Sequence, residues 1–177
     1  MRDVRSGSGP VGEWVLLAYR VPREPSTPRI AIWRKLKNLG VAQLGDGLVA
    51  LPADARTREQ LEWTADDVLA AGGTASVWLA RPGSAAAEKD LAAQMAAARA
   101  GEYTAVTAAA HTSENLTGAA RVAVVRKLRN ELRRIGRRDF FPPAERDAAH
   151  AAVRHLAETG TDVARAMTNV DAAQGLP

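Results

Sequence analysis

The sequence predicts an α+β fold, a ferredoxin-like βαββαβ unit with an appended C-terminal helical segment, and three observations predict it. Trp14 to Pro52 contains a strand, a helix and a hairpin in that order. A second helix pattern and a fourth strand follow over Ala53 to Ala80. Everything after Ser84 repeats at helical spacing or is rich in alanine, a strong helix former. Strand, helix, hairpin is half of a split βαβ motif, and the second helix and fourth strand complete it.

Taken in order, Trp14 to Tyr19 is a nearly unbroken apolar run ended by Arg20, Pro22, Pro25 and Pro28, which reads as a buried strand and a loop. Thr27 is the expected N-cap of the first helix, with Pro28 at the first helical position. Ile30, Trp33, Leu36 and Leu39 then form the expected core stripe, and Gly40 stops it. Strands over Val41–Leu44 and Leu48–Leu51 flank a tight turn at Gly45, Asp46 and Gly47. The helix over Ala53–Ala71 is expected to point Leu61, Val68 and Leu69 inward and to end at Gly72-Gly73. In the strand Thr74–Ala80, Ser76 and Trp78 face opposite to Val77 and Leu79.

Ser84 is the expected N-cap of an alanine-rich helix to His111, thinly marked by Leu91, Met95, Tyr103 and Val106. From Ala119 to Ile135 a strongly amphipathic helix sets Val122, Val125, Leu128, Leu132 and Ile135 against Arg126, Asn130, Arg133 and Arg137. Asp139-Phe140-Phe141-Pro142 is expected to dock the appended helices, and a last helix covers about 144–158. The expected organisation is a ferredoxin-like subdomain over 13–81, a helical segment over 84–160, and flexible tails at 1–12 and 161–177.

At 177 residues and 46% hydrophobic composition the chain has enough apolar material for a real core. It has no cysteine, hence no disulfide, thiolate nucleophile or cysteine-rich metal cluster. No apolar run reaches the length of a membrane span, and Met1 to Gly12 lacks a signal-like apolar core. These features read as a soluble, cytoplasmic protein with no membrane partner.

The formal charge of +4 is unevenly spread: +4 over residues 14–52, −4 over 53–120, +7 over 121–138 and −3 over 139–177. Eight cations meet the single Glu131 between Arg121 and Arg138, although neighbours three and four apart on a helix repel. Arg121, Arg126, Lys127, Arg129, Arg133, Arg134, Arg137 and Arg138 are therefore the candidate nucleic-acid-binding set; a solvated basic helix is the competing reading. Arg20, Arg23, Arg29, Arg34 and Lys35 form a second candidate patch for phosphate or another oxyanion, since arginine grips oxyanions bidentately. His111, His150 and His155 lack the spacing of a metal site, and no nucleophile elbow or Gly-rich phosphate loop is present, so neither catalysis nor a cofactor is expected. Trp14, Trp33, Trp63 and Trp78 lack the glycine-punctuated signature of RNA-stacking sheets.

Trp14 with the run to Tyr19, Arg20-Val21-Pro22-Arg23-Glu24-Pro25-Ser26, Trp33-Arg34-Lys35-Leu36, Gly47 with Leu51-Pro52, and the later Asp139-Phe140-Phe141-Pro142 resemble the N-terminal region of the chromate-resistance regulatory protein family, ChrB. The likeness spans most of Trp14 to Leu156, and its first half is also similar to the central domain of the PaaX repressor family and to the small nuclease subunit of CRISPR adaptation complexes. The resemblance implies a cytoplasmic regulator of a chromate efflux operon that binds DNA as a homodimer, through the sheet or its strand edges. Full-length ChrB members carry a further C-terminal domain, and sensing that resides there is not implied for this chain. The nuclease relatives hold a metal-binding aspartate just after the first strand, where this sequence has Tyr19-Arg20-Val21-Pro22. The alternative of a different class is an oxyanion-sensing or protein-interaction module that does not bind DNA.

Overall fold

The structure is a computed structural model that describes residues 12–158. The backbone divides into two compact units, residues 1–95 and 96–177. The division falls inside a helix, whereas the expected linker was at 81–83. The tails expected at 1–12 and 161–177 lie outside the described residues, except for Gly12.

The first unit follows the order β1 (Trp14–Arg20), α1 (Ser26–Leu39), β2 (Ala42–Gly45), β3 (Leu48–Pro52), α2 (Ala55–Ala70), β4 (Thr74–Ala80) and the opening turns of α3 (Ala85–Thr112). The sheet order is β2-β3-β1-β4 with every neighbouring pair antiparallel, which is the ferredoxin-like arrangement that the sequence predicts. Val15 stands opposite Leu51, and Leu17 opposite both Val49 and Val77, so these side chains share one face of the sheet. Val15, Leu17, Val49 and Leu51 are buried with Ile32 and Leu36 of α1 and Leu61, Ala65 and Val68 of α2. Trp14, Leu16 and Ala50 lie on the other face, where α3 begins. Glu88 of α3 accepts hydrogen bonds there from the Trp14 indole at 3.2 Å and from the Gly12 amide at 2.8 Å. A groove of about 620 Å³ remains between that face and α3, lined by Leu16, Leu44, Ala80 and Leu91 among others.

Two helices pack in a phase other than the expected one. In α1 the buried stripe is Ile32 and Leu36, whereas Ile30 and Trp33 are exposed. Residues two apart on a helix lie about 160° from one another, so Ile30 cannot share a face with Ile32. The Lys37 ammonium instead covers the Trp33 ring, 4.6 Å from its centroid. The α1 N-cap is Pro25, with no side-chain cap, so the helix starts before Thr27. In α2, Leu61 and Val68 are buried as expected but Leu69 is exposed.

Two turns close on the last residues of β1. Gly47 has φ +72° and accepts from the Tyr19 amide at 2.7 Å, and a β-carbon there strikes the Tyr19 carbonyl. Gly73 approaches the Arg20 carbonyl just as closely. The starts of β3 and β4 are thus gauged by the end of β1.

The start of α2 is held by a reciprocal cap. The Asp54 carboxylate accepts from the Thr57 amide at 2.6 Å, and the Thr57 hydroxyl accepts from the Asp54 amide at 2.9 Å. That hydroxyl also donates to the Pro52 carbonyl at 2.7 Å, tying the helix start to the end of β3. The Thr57 amide, chiefly, holds the Asp54 carboxyl below its ordinary range. Asp54→Ala is therefore expected to cost about 1 kcal/mol at neutral pH, read by chemical denaturation. Because the carboxyl's folded pKa is depressed, the difference between variant and parent should shrink as pH falls through that value.

Candidate nucleic-acid interface

The second unit contains the rest of α3, then α4 (Gly118–Gly136), and α5, helical over residues 145–158. Tyr103, Val106 and Ala110 of α3, Val125, Leu128, Leu132 and Ile135 of α4, and Ala149, Val153 and Leu156 of α5 form one buried cluster. Leu128, Leu132 and Ile135 recur at helical spacing, and the stripe continues back through Val125 to Arg121. Val122, expected on this stripe, is 68% exposed because it lies about 60° further round than the packed face allows.

Arg121 is buried. Its guanidinium donates to the carbonyls of Leu156 at 2.7 Å, Glu114 at 3.0 Å and Leu116 at 3.1 Å. It thereby joins α5 and the α3–α4 loop to the first turn of α4 and gives the loop carbonyls of Glu114 and Leu116 a partner. Arg138 is the second inward cation: it donates to Glu102 at 2.8 Å, and Glu102 also pairs with the buried Arg99 at 2.9 Å. Burial pulls the Arg138 guanidinium below the usual arginine range despite Glu102. Of the eight cations expected on DNA, Arg121 and Arg138 are thus corrected to structural roles, since each spends its donors inside the unit.

The other six, Arg126, Lys127, Arg129, Arg133, Arg134 and Arg137, are exposed. Arg126, Asn130, Arg133 and Arg137 recur at i+4, i+3 and i+4 along the middle of the open face, about 16 Å from first to last. Arg133 bonds to Asn130, and Arg134 pairs with Glu131 at 2.6 Å, which raises the Arg134 pKa further and leaves it charged at any working pH. A shallow depression of about 370 Å³ runs along this side past Arg126, Lys127, Asn130 and Arg134. The chemistry of such a face is multivalent anion binding by exposed, permanently charged groups.

The N-terminal patch is not assembled as one site. Arg20 and Arg23 line a cleft of about 490 Å³ with Gly72, Gly73 and Thr74. Arg29 and Arg34, both exposed, lie about 140° apart on α1, on different sides of the helix. Lys35 is committed to Asp67 of α2 at 2.5 Å. Only the first two of the five share a concavity.

Asp139 ties the Asp139-Phe140-Phe141-Pro142 segment to α3. Its carboxylate accepts from the Tyr103 hydroxyl at 2.9 Å, while Phe140 and Phe141 are only half-buried. Sequence reasoning missed Arg99, Glu102 and Tyr103 as a polar group. The available signal was Arg99 in phase with Tyr103, Val106 and Ala110, since a charge on an apolar stripe implies a buried partner. Among the described residues no helix is long and apolar enough to cross a membrane.

The fold and this basic face define an α+β domain followed by a cationic helical unit. Residues 29–116 match the family model described as "Protein ChrB, N-terminal". The chain is also 36% identical over 72 residues to Protein ChrB of Cupriavidus metallidurans, a match covering 41% of this chain and 22% of that protein. Residues 29–116 thus carry the N-terminal domain of the ChrB family. The chain matches only about a fifth of the length of that curated relative. No solved structure matches the chain.

Two outcomes test the internal roles. Arg121→Met keeps the stem and removes the donors, and should cost about 2 to 4 kcal/mol by stranding main-chain carbonyls. Burial, and then the hydrogen bond to Asp139, push the Tyr103 hydroxyl up to about 12 from 10.0. Folding thus favours the neutral phenol, so this stabilisation is complete below pH 10.0 and is lost as pH rises through about 12. Tyr103→Phe should flatten that alkaline loss in denaturation midpoints measured across pH.

Proposed function

We propose that the chain is a transcriptional regulator of the chromate-resistance type that binds duplex DNA through the outer face of α4 and has no catalytic activity. The observation that carries this reading is the segregation within α4: six exposed cations on one side, with the opposite side buried. A cationic surface of this kind suits the phosphate backbone, where affinity comes from counterion release and is insensitive to base sequence. The N-terminal domain of the ChrB family supports the regulatory role. Arg126, Arg133 and Arg137, two turns and then one turn apart along one side of the helix, are the residues placed to follow one strand's phosphates, with Lys127, Arg129 and Arg134 at the flanks.

If about four of these cations meet phosphates, log affinity should fall against log salt with a slope of about −3 to −4. Fluorescence anisotropy with a duplex from the region upstream of the gene reads it. Changing Arg126, Arg129 and Arg133 together to glutamate should abolish binding at the salt concentration where the parent half-saturates, with an unchanged melting profile. Binding that ignores both salt and these substitutions rejects the assignment.

A second reading rests on the cleft at Arg20 and Arg23, where two guanidinium groups suit a tetrahedral oxyanion such as chromate or phosphate. Arg20→Gln and Arg23→Gln together should then weaken calorimetric binding of the oxyanion about tenfold or more. They should leave duplex affinity unchanged.

A further inference from the structure

The two edges of the sheet are built differently. The β2 edge is four residues long, and its pairing with β3 is broken by an irregularity between Gln43 and Gly45. Short, bulged edge strands resist pairing with other chains. β4, at the opposite edge, pairs with β1 over all seven residues without a break. Its sequence, Thr74-Ala75-Ser76-Val77-Trp78-Leu79-Ala80, has no charge, proline or glycine. Among the described residues its outer side has no strand partner. Trp78 is 61% exposed on one face of the sheet, and Leu79 is 50% exposed on the other. An edge with none of the usual protections and large apolar groups on both faces is equipped to be paired.

We infer that β4 pairs antiparallel with β4 of a second copy of this chain, giving a continuous eight-stranded sheet across a two-fold axis near Val77. Three features select a second copy as the occupant. An uncharged strand is self-complementary in antiparallel pairing, so the same patch serves both partners. The helix layer also closes correctly. α2 packs on β1 and β4. With strands about 4.8 Å apart, two α2 helices related by this axis lie about 10 Å apart, the ordinary spacing of packed helices.

The third feature is charge. Asp67, bonded to Lys35, marks the α1 side of α2, and Leu69 lies on the other side of the buried Leu61, Ala65 and Val68 stripe, toward the β4 edge. That outer side reads Arg58, Glu62, Asp66, Leu69, and Leu69 is 53% exposed. Arg58 pairs with Glu62 of its own chain at 2.8 Å, and antiparallel approach brings this Arg58 toward Asp66 of the other copy. It also covers Leu69 and Leu79 on this face and Trp78 on the opposite one. The pairing is independent of nucleic acid, so its failure and the failure of DNA binding by α4 are separately visible.

The test is sedimentation velocity of the full chain across a concentration series without DNA, together with amide hydrogen exchange. The parent should sediment as a dimer, and Trp78→Lys with Leu79→Lys should raise the dissociation constant at least about tenfold, with an unchanged melting temperature at concentrations where parent and variant are both monomeric. Both residues are exposed in one copy, so the fold does not require them. In the unmodified protein, alternate amides of β4 should exchange more slowly as concentration rises, while those of β2 should not change. A monomer at every concentration overturns the inference. So does a dimer whose β4 amides exchange at a rate independent of concentration.

Discussion

The contact between Arg121 and three carbonyls is the constraint on which the basic face depends. A guanidinium that holds the end of α5 and the α3–α4 loop fixes the rotation of α4 about its own axis. Once that rotation is set, Val125, Leu128, Leu132 and Ile135 must face inward, and the remaining cations must face out. Arg138, Glu102 and Arg99 do the same at the far end, where a carboxylate between two guanidinium groups closes the helix against α3. Breaking such a buried pair from one side leaves an uncompensated charge, so these contacts specify the arrangement more than they add net stability. Two cations of the basic segment thus orient the other six.

The sheet unit solves a different problem. A ferredoxin-like sheet has two faces and only two helices of its own, and here α3 supplies cover on the second face through Glu88 and the Trp14 indole. What stays open is the β4 edge and part of the groove beside it. The Gly47 and Gly73 turns both close on the last residues of β1 and set where β3 and β4 begin their pairing with it. Rigid presentation of an unpaired strand is the condition for adding another.

The sequence made strand order, element order and the location of the positive charge legible, because period-2 runs, glycine turns and charge counts are local properties. It did not disclose the rotation of helices. Ile30, Trp33, Leu69 and Val122 are large and apolar, and a stripe drawn through the largest side chains passes through them. Packing selected Ile32, Ala65 and Arg121 instead. The partition of the eight cations was hidden for the same reason, since only tertiary contacts tell Arg121 and Arg138 from their neighbours. The N-terminal patch failed as a single site because Arg29 and Arg34 diverge around α1 and Lys35 finds Asp67 on a separate helix.

The central claim is that the outer face of α4 is the surface that meets DNA. A photoreactive side chain placed at Asn130, in the middle of that face, tests it most directly, with the same group at Arg154 of α5 as the comparison. The account predicts cross-linking to a duplex from Asn130 that fades as salt rises, and little from Arg154. Saturable duplex binding with no cross-link from Asn130, or equal yields from the two positions, would contradict it.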